Sequence, residues 1–250
     1  MNDFENRKGL SGHEANGQAV VEGSAVGCAT ETPKAGTVGE ANVEADAEVT
    51  RKPHVEIRRA YPEDAPFIAE SVLAAMGYDR DSSISLAAEG NDSLPKTYEE
   101  VKQALEEIAA RPDTLYSYRH SRIATYGGEV AGVIVGYDGA AYREMAELTF
   151  GLIAGKLGTA LFNPGEETGE GEYYLDSLHV SPDFRGHSIG TVLMRNELDI
   201  AEALGFRIVS LIVDKEKPWL HRLYARLGFE EAGETVFFGE KYLRMIQEIG

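Results

Sequence analysis

Cysteine is all but missing. Cys28 is the single thiol among 250 residues, which excludes an intramolecular disulfide framework and any zinc site built on cysteine pairs. Long apolar runs are missing too: no stretch of about 18 apolar residues occurs, so no membrane-spanning helix is expected. The opening MNDFENRKGL lacks the basic-then-apolar order of a secretory leader. Positive charge is scarce, with 24 Lys and Arg against 42 Asp and Glu and a formal net charge of −18. Such a chain has no cationic face to spare for displacing counterions from a nucleic acid. These shortages together point to a cytoplasmic protein with no nucleic-acid and no membrane partner. Chemical signatures are missing as well. There is no Gly-x4-Gly-Lys-Ser/Thr run and no His/Asp/Glu grouping with metal-ligand spacing, so neither a P-loop nor a metal centre is expected.

What is present divides unevenly along the chain. Residues 1–53 hold nine acids and five bases, with Phe4 as their one aromatic. They show no lasting period of 2 or 3.6, and such a segment buries too little apolar area to offset an ordering cost of about 1–2 kcal/mol per residue. The expectation is a disordered, acidic, Gly/Ala-rich tail over 1–53 and a folded domain over 54–250.

Within that domain, Val55-Glu56-Ile57-Arg58 alternates like a strand. Pro62-Glu63-Asp64-Ala65 opens a helix expected over 62–76. Residues 77–96 read as a polar loop, and Thr97 caps a second helix through Ala110. Leu115 to Tyr126 and Val130 to Tyr137 read as strands around Gly127-Gly128. A helix over 141–157 and an acidic break at 163–171 follow. The remaining expectations are a strand at 173–180, a helix ending at 204, a strand at 207–213, a short helix at 218–227, and one or two closing strands to 249. The order implies an α/β domain with a mixed sheet.

Chemistry concentrates at 175–194, LDSLHVSPDFRGHSIGTVLM. A strand ends at Val180. Arg185-Gly186-His187-Ser188-Ile189-Gly190 then opens a helix whose apolar face is Ile189, Val192, Leu193 and Ile200. Small residues let a ligand approach the backbone, and a helix's first-turn amides with its dipole attract phosphate. A Rossmann fingerprint does not fit, because Ser188 holds one glycine place and the loop comes late in the domain. Residues 211–229, LIVDKEKPWLHRLYARLGF, add a strand, a short helix with Leu220, Leu223, Tyr224 and Leu227, and Gly228-Phe229.

This pairing of R-G-x-small-I-G with a downstream L-x-V and L-Y-x-x-x-G-F resembles the GNAT superfamily of acyl-CoA-dependent N-acetyltransferases. The likeness extends over about 55–249 and is sharpest at 174–229. It implies a mixed, mostly antiparallel central sheet flanked by helices on both faces, and acetyl-CoA as co-substrate. By that resemblance, Leu178, His179 and Val180 would splay from the neighbouring strand and offer backbone groups to the pantetheine arm. Arg185, Gly186, His187, Ser188, Ile189, Gly190 and Thr191 would wrap the pyrophosphate. Lys217 stands where many members carry Asn and could meet the CoA phosphates instead. Ser188 stands where glycine is usual; its N–H still serves provided that φ there need not be positive.

The resemblance further implies direct attack of an amine on the thioester. Tyr224 matches the tyrosine that protonates the departing thiolate; packing on the face of Leu220 and Leu227 is the competing reading. Asp176, placed by simple alternation on the face of Leu178 and Val180, is the candidate base or else a hydrogen-bonded strand residue, and Glu172 reads as a solvated acid at the strand start. His120 and His221 read as surface groups, and Trp219 as packed beside the cofactor helix. Tyr78, Asp79, Asp81, Glu89, Tyr137, Asp138, Tyr142, Glu144 and Glu147 are the residues expected on the acceptor side. The acceptor implied is an amine of a small molecule or a peptide, with a homodimer left open. A non-catalytic CoA-binding sensor remains the alternative.

Overall fold

The computed structural model describes residues 54–84, 95–160, 165–237 and 240–250. The expected tail, with Cys28, and Glu89 lie outside these residues. The described chain builds a seven-stranded sheet in the order β1-β4-β5-β6-β7-β9-β8. Its strands are β1 (Val55–Arg59), β4 (Ser121–Tyr126), β5 (Glu129–Asp138), β6 (Glu172–Val180), β7 (Ile208–Asp214), β8 (Glu230–Phe237) and β9 (Glu240–Glu248). A separate two-stranded ribbon pairs β2 (Ser83–Ile84) with β3 (Lys96–Thr97). Every neighbouring pair in the large sheet is antiparallel except β6 with β7.

Helices α1 (Ala65–Ala75), α2 (Tyr98–Ala109) and α3 (Tyr142–Leu157) cover one face, sharing a core with Ile123, Val133, Val135 and Tyr174. Helices α4 (Ile189–Ala203) and α5 (Pro218–Arg226) supply the other core, with Ile189, Leu193 and Tyr224 against Ile134, Leu175, Val209 and Met245. The architecture is therefore the expected mixed, mostly antiparallel sheet with helices on both faces.

Local chemistry explains the elements. Thr97 and Glu100 form a reciprocal cap at the start of α2: the Glu100 amide donates to Thr97 Oγ1 at 3.3 Å, and the Thr97 amide donates to Glu100 Oε2 at 2.8 Å. Gly127 and Gly128 turn the β4–β5 hairpin with φ of +62° and +89°. Gly132 is required for a different reason. A Cβ there would stand 3.0 Å from the His179 carbonyl and 3.0 Å from Ile189 Cγ2, so this glycine lets α4 sit directly on β5. The strand expected from Leu115 starts only at Ser121. Residues 118–120 form a 3-10 turn, and buried hydroxyls take over the backbone pairing: Leu115 N donates to Thr149 Oγ1 at 2.9 Å, and Ser121 Oγ donates to the Ser117 carbonyl at 3.0 Å.

Two features of β6 set up the site. Its register against β5 steps from Val135↔Ser177 to Gly136↔Leu175, so Asp176 is an extra residue, a β-bulge. Its register against β7 covers only Glu172↔Ile208, Tyr173↔Val209 and Tyr174↔Ser210. Beyond Tyr174 the two strands part, although β6 runs on to Val180 and β7 to Asp214.

Candidate active site

The parting of β6 and β7 opens a cleft of about 650 Å³. One end meets the start of α4, with Arg185 and Gly190 in the wall. The middle is lined by Leu178, His179 and Val180 on one side and by Leu220, Leu223 and Tyr224 of α5 on the other. The far end reaches Tyr116, Glu167 and Asp176. Ala74, Ala75 and Met76, at the end of α1, complete the wall. One groove therefore joins an anion-seeking helix terminus, a stretch of strand unpaired on its β7 side, a tyrosine and a carboxylate pair.

At the α4 end, the first intrahelical bond runs from the Val192 amide to the Ser188 carbonyl at 3.0 Å. The amides of Ile189, Gly190 and Thr191 are thus without intrahelical partners. Gly186 has φ of +85°, and Ser188 has φ of +60°, the one non-glycine residue with positive φ among the described residues. The condition placed on Ser188 fails, since its φ is positive. The serine nonetheless reaches the left-handed basin, at a cost of about 1–2 kcal/mol. Ser188→Gly relieves that strain while adding freedom to the unfolded chain. A net gain of about 0.5–1 kcal/mol is expected, seen as a melting temperature roughly 2 °C higher. Arg185 makes no ion pair among the described residues, whereas Lys215 pairs with Glu234 and Lys217 with Asp214 at 3.5 Å. The His187 ring sits 4.4 Å from that of Tyr126, with Nδ1 3.1 Å from the Phe184 carbonyl. Its amide, rather than its imidazole, is free to face the cradle.

Tyr224 is buried, packs edge-on against Phe229 at 6.2 Å between centroids, and meets no hydrogen-bond partner among the described residues. Burial pushes its phenol up to about 12, which favours the protonated form across the neutral range. His179, on the opposite side of β6 from Leu178, is held below the usual imidazole range by burial and by the nearby Arg185 charge.

The far end departs most from the sequence reading. Because Asp176 is the bulge residue, alternation slips there: Leu178 and Val180 pack towards α4, whereas Asp176 turns to the α1–α3 side. There its Oδ2 accepts from Tyr137 Oη at 2.6 Å and its Oδ1 from Ser177 Oγ at 2.8 Å. Glu167 joins it, accepting from Tyr174 Oη and sharing, at 3.3 Å, the Tyr142 hydroxyl proton that goes chiefly to the Gly165 carbonyl at 2.9 Å. Burial raises both carboxyls, and the Asp176 charge raises Glu167 further. No cation pairs with either acid among the described residues.

Several other placements differ from expectation. Glu172 is no solvated acid: it accepts from Ser210 Oγ at 2.6 Å and pairs with Arg244, tying β6 to β7 and β9. His120 is not at the surface but lies 5.5 Å from the Tyr137 ring, with burial lowering its imidazole. Trp219 does not pack; it is 57% exposed at the cleft wall. Of the expected acceptor-side residues, Tyr137 and Tyr142 bond to the carboxylate pair. Asp79, Asp81, Asp138, Glu144 and Glu147 are exposed. Glu167 and Tyr116 were missed. Glu167 lies in an acid-rich, glycine-rich break that reads as solvated, and only the four nearby tyrosines at 116, 137, 142 and 174 could have hinted at an aromatic cage.

Comparison with known proteins fits this geometry. Residues 88–229 match the model of the acetyltransferase (GNAT) family. An uncharacterized N-acetyltransferase of Methanocaldococcus jannaschii is 41% identical over 75 residues, which is 30% of this chain and 31% of that protein. The match thus spans about a third of the relative's length. A crystal structure described as that of an acetyltransferase has a TM-score of 0.61 and 30% identity, covering 78% of this chain and 100% of the other. An N-acetyltransferase from Staphylococcus aureus Mu50 has a TM-score of 0.60 and 26% identity over 76% of this chain and 99% of its own. The family match takes in most of the described domain, including β6, the α4 cradle and Tyr224, and the chain belongs to the GNAT family of acetyltransferases.

Proposed function

We propose that the chain transfers an acetyl group from acetyl-CoA to a primary amine by direct attack, with both substrates held in the cleft. The observation that carries this reading is the single groove in which the parted β6 and β7 connect the α4 amides to Tyr224 and to the Glu167–Asp176 pair. The residues fit the cofactor. Three first-turn amides and Arg185 suit a pyrophosphate. The β7-facing edge of residues 175–180 suits the amide-rich pantetheine arm. The bound thioester supplies an activated acyl group.

The chain's own residues then have distinct tasks. Holding amine and thioester together makes the reaction effectively unimolecular. The Asp176 carboxylate, made more basic by burial, takes the proton that the ammonium must shed before it can attack. A backbone N–H in the 178–180 stretch stabilises the negative charge that develops on the carbonyl oxygen. The nitrogen–carbon bond forms, the carbon–sulfur bond breaks, and the Tyr224 hydroxyl donates its proton to the departing sulfur; the surplus proton left on the amide nitrogen and the one held by Asp176 pass to solvent, which reprotonates Tyr224, so that one proton is released per turnover.

The test is a thermal melt with acetyl-CoA, followed by release of free thiol in the presence of amines. At 100 times the dissociation constant, stabilisation of about 2.7 kcal/mol is expected, a shift of roughly 5–10 °C. No shift would remove the proposal. A shift with no thiol release from any amine would reduce the protein to a CoA-binding module.

A further inference from the structure

The far end of the cleft holds two carboxylic acids that no basic side chain among the described residues pairs with. Two other buried or half-buried acids among the described residues stand near a cation. Glu197 is fully buried, yet Arg122 Nε stands 3.9 Å from it. Glu172 has Arg244. Glu167, 7% exposed, and Asp176 have only hydroxyls: Tyr142, Tyr174, Tyr137 and Ser177. Each carboxylate therefore uses two of about four acceptor positions. A second observation points the same way. Tyr116 is 3% exposed and lines the cleft beside the pair. Its hydroxyl meets no partner among the described residues. The ring is buried while the hydroxyl opens on the cleft, where a ligand's polar group can meet it.

We propose that Glu167 and Asp176, with the Tyr116 hydroxyl, recognise the acceptor as an alkylammonium whose amine-bearing carbon carries no carboxylate. The inference rests on the acetyl-transfer reading and deepens it by naming the substrate class. The physical reason is charge. An ammonium supplies the cation that the pair lacks, and its three N–H donors match the acceptor positions left open. The ammonium favours the ionised form of a pair that burial alone holds towards the protonated one, and the carboxylate of a free amino acid would oppose that ionisation in a poorly solvated pocket, where repulsion is screened weakly. The groups facing the pair are Tyr116, Tyr137, Tyr142, Tyr174 and, from β9, Tyr242, all favoured in their neutral form by burial, with burial also lowering the His120 imidazole behind Tyr137. None of them offsets an added carboxylate.

The experiment compares three amines of the same branched skeleton, isopentylamine, leucinamide and leucine, by calorimetry on the full chain at about pH 6.5, where all three are cationic. Titrations are run with and without coenzyme A. Failure of coenzyme A to bind, which would sink the transfer reading, thus leaves the amine comparison readable. Isopentylamine or leucinamide is expected to bind at least tenfold more tightly than leucine. A leucine-initiated tripeptide distinguishes the sources: binding like leucinamide assigns the pocket to peptide N-termini, and exclusion assigns it to free amines. In Glu167→Gln the tenfold gap is expected to fall below threefold, with coenzyme A affinity unchanged. In Tyr116→Phe, amine affinity is expected to fall with the gap retained. Leucine binding as tightly as leucinamide, a gap untouched by Glu167→Gln, or no amine bound at all would each overturn the assignment. If Glu167→Gln does not fold, the gap in the unaltered chain decides.

Discussion

Tyr224→Phe is expected to lower the acetyl-transfer rate about a hundredfold or more while changing the affinity for coenzyme A by less than twofold. The split follows from what the hydroxyl touches. Among the described residues it bonds to nothing, and its ring is fixed by Phe229 and the α5 packing, which phenylalanine preserves. Losing the oxygen therefore removes no contact that holds the fold or the nucleotide, and the melting temperature is expected to stay level or rise slightly. Proton donation to a departing group is commonly worth about 10²–10⁴-fold. With the phenol pushed up to about 12, this residue contributes no alkaline limb to the pH profile below that range. The wall that raises the phenol also disfavours a bare thiolate, which increases the need for a donor. Steady-state kinetics and calorimetry on one preparation separate the two effects. Unchanged turnover in the phenylalanine variant would take the acid role away from Tyr224.

The fold was legible because its local signals agree. Thr97 with Glu100, Gly127-Gly128, and the apolar spacing of Ile189, Val192 and Leu193 each act within one element, and tertiary packing reinforced rather than overrode them. The start of α4 was legible for the same reason, since the turn at residues 185–190 and the apolar spacing after it are local signals at one helix start. The acceptor end was not. Asp176 was assigned its side by counting in twos, and counting in twos fails at a bulge. That bulge is visible only when β5 is laid against β6. Glu167 was hidden more deeply. It sits in NPGEETGEG, where every local feature signals a solvated turn, and its burial comes from tyrosines supplied by α3 and β6 across the fold. The left-handed Ser188 shows the reverse case. A glycine was missing where backbone geometry asked for one, and the chain adopted the geometry regardless.

Asp176→Asn is expected to act on rate and stability in opposite directions, and the two together test its role. The rate should fall by roughly 10²–10⁴-fold, because an amide cannot take the ammonium proton. Stability should rise near neutral pH. Burial raises the Asp176 carboxyl above its unfolded value, so the folded state holds the proton more tightly than the unfolded chain does. The associated stability is then complete below the unfolded value of about 4 and is lost as pH rises through the folded one. Asparagine is neutral throughout and escapes that loss. Its oxygen still accepts from Tyr137, and its NH2 can donate to Ser177 Oγ, so no buried group is stranded. The variant should therefore melt above the unaltered protein at pH 8, with the difference closing towards pH 4. In the unaltered enzyme, the acid limb of kcat/KM should lie above the usual carboxylate range, since the base must lose its proton before it can work. An aspartate that only fixed the bulge would show the stability trend without the displaced limb, and an asparagine variant of full activity would return the base to another residue of the cleft.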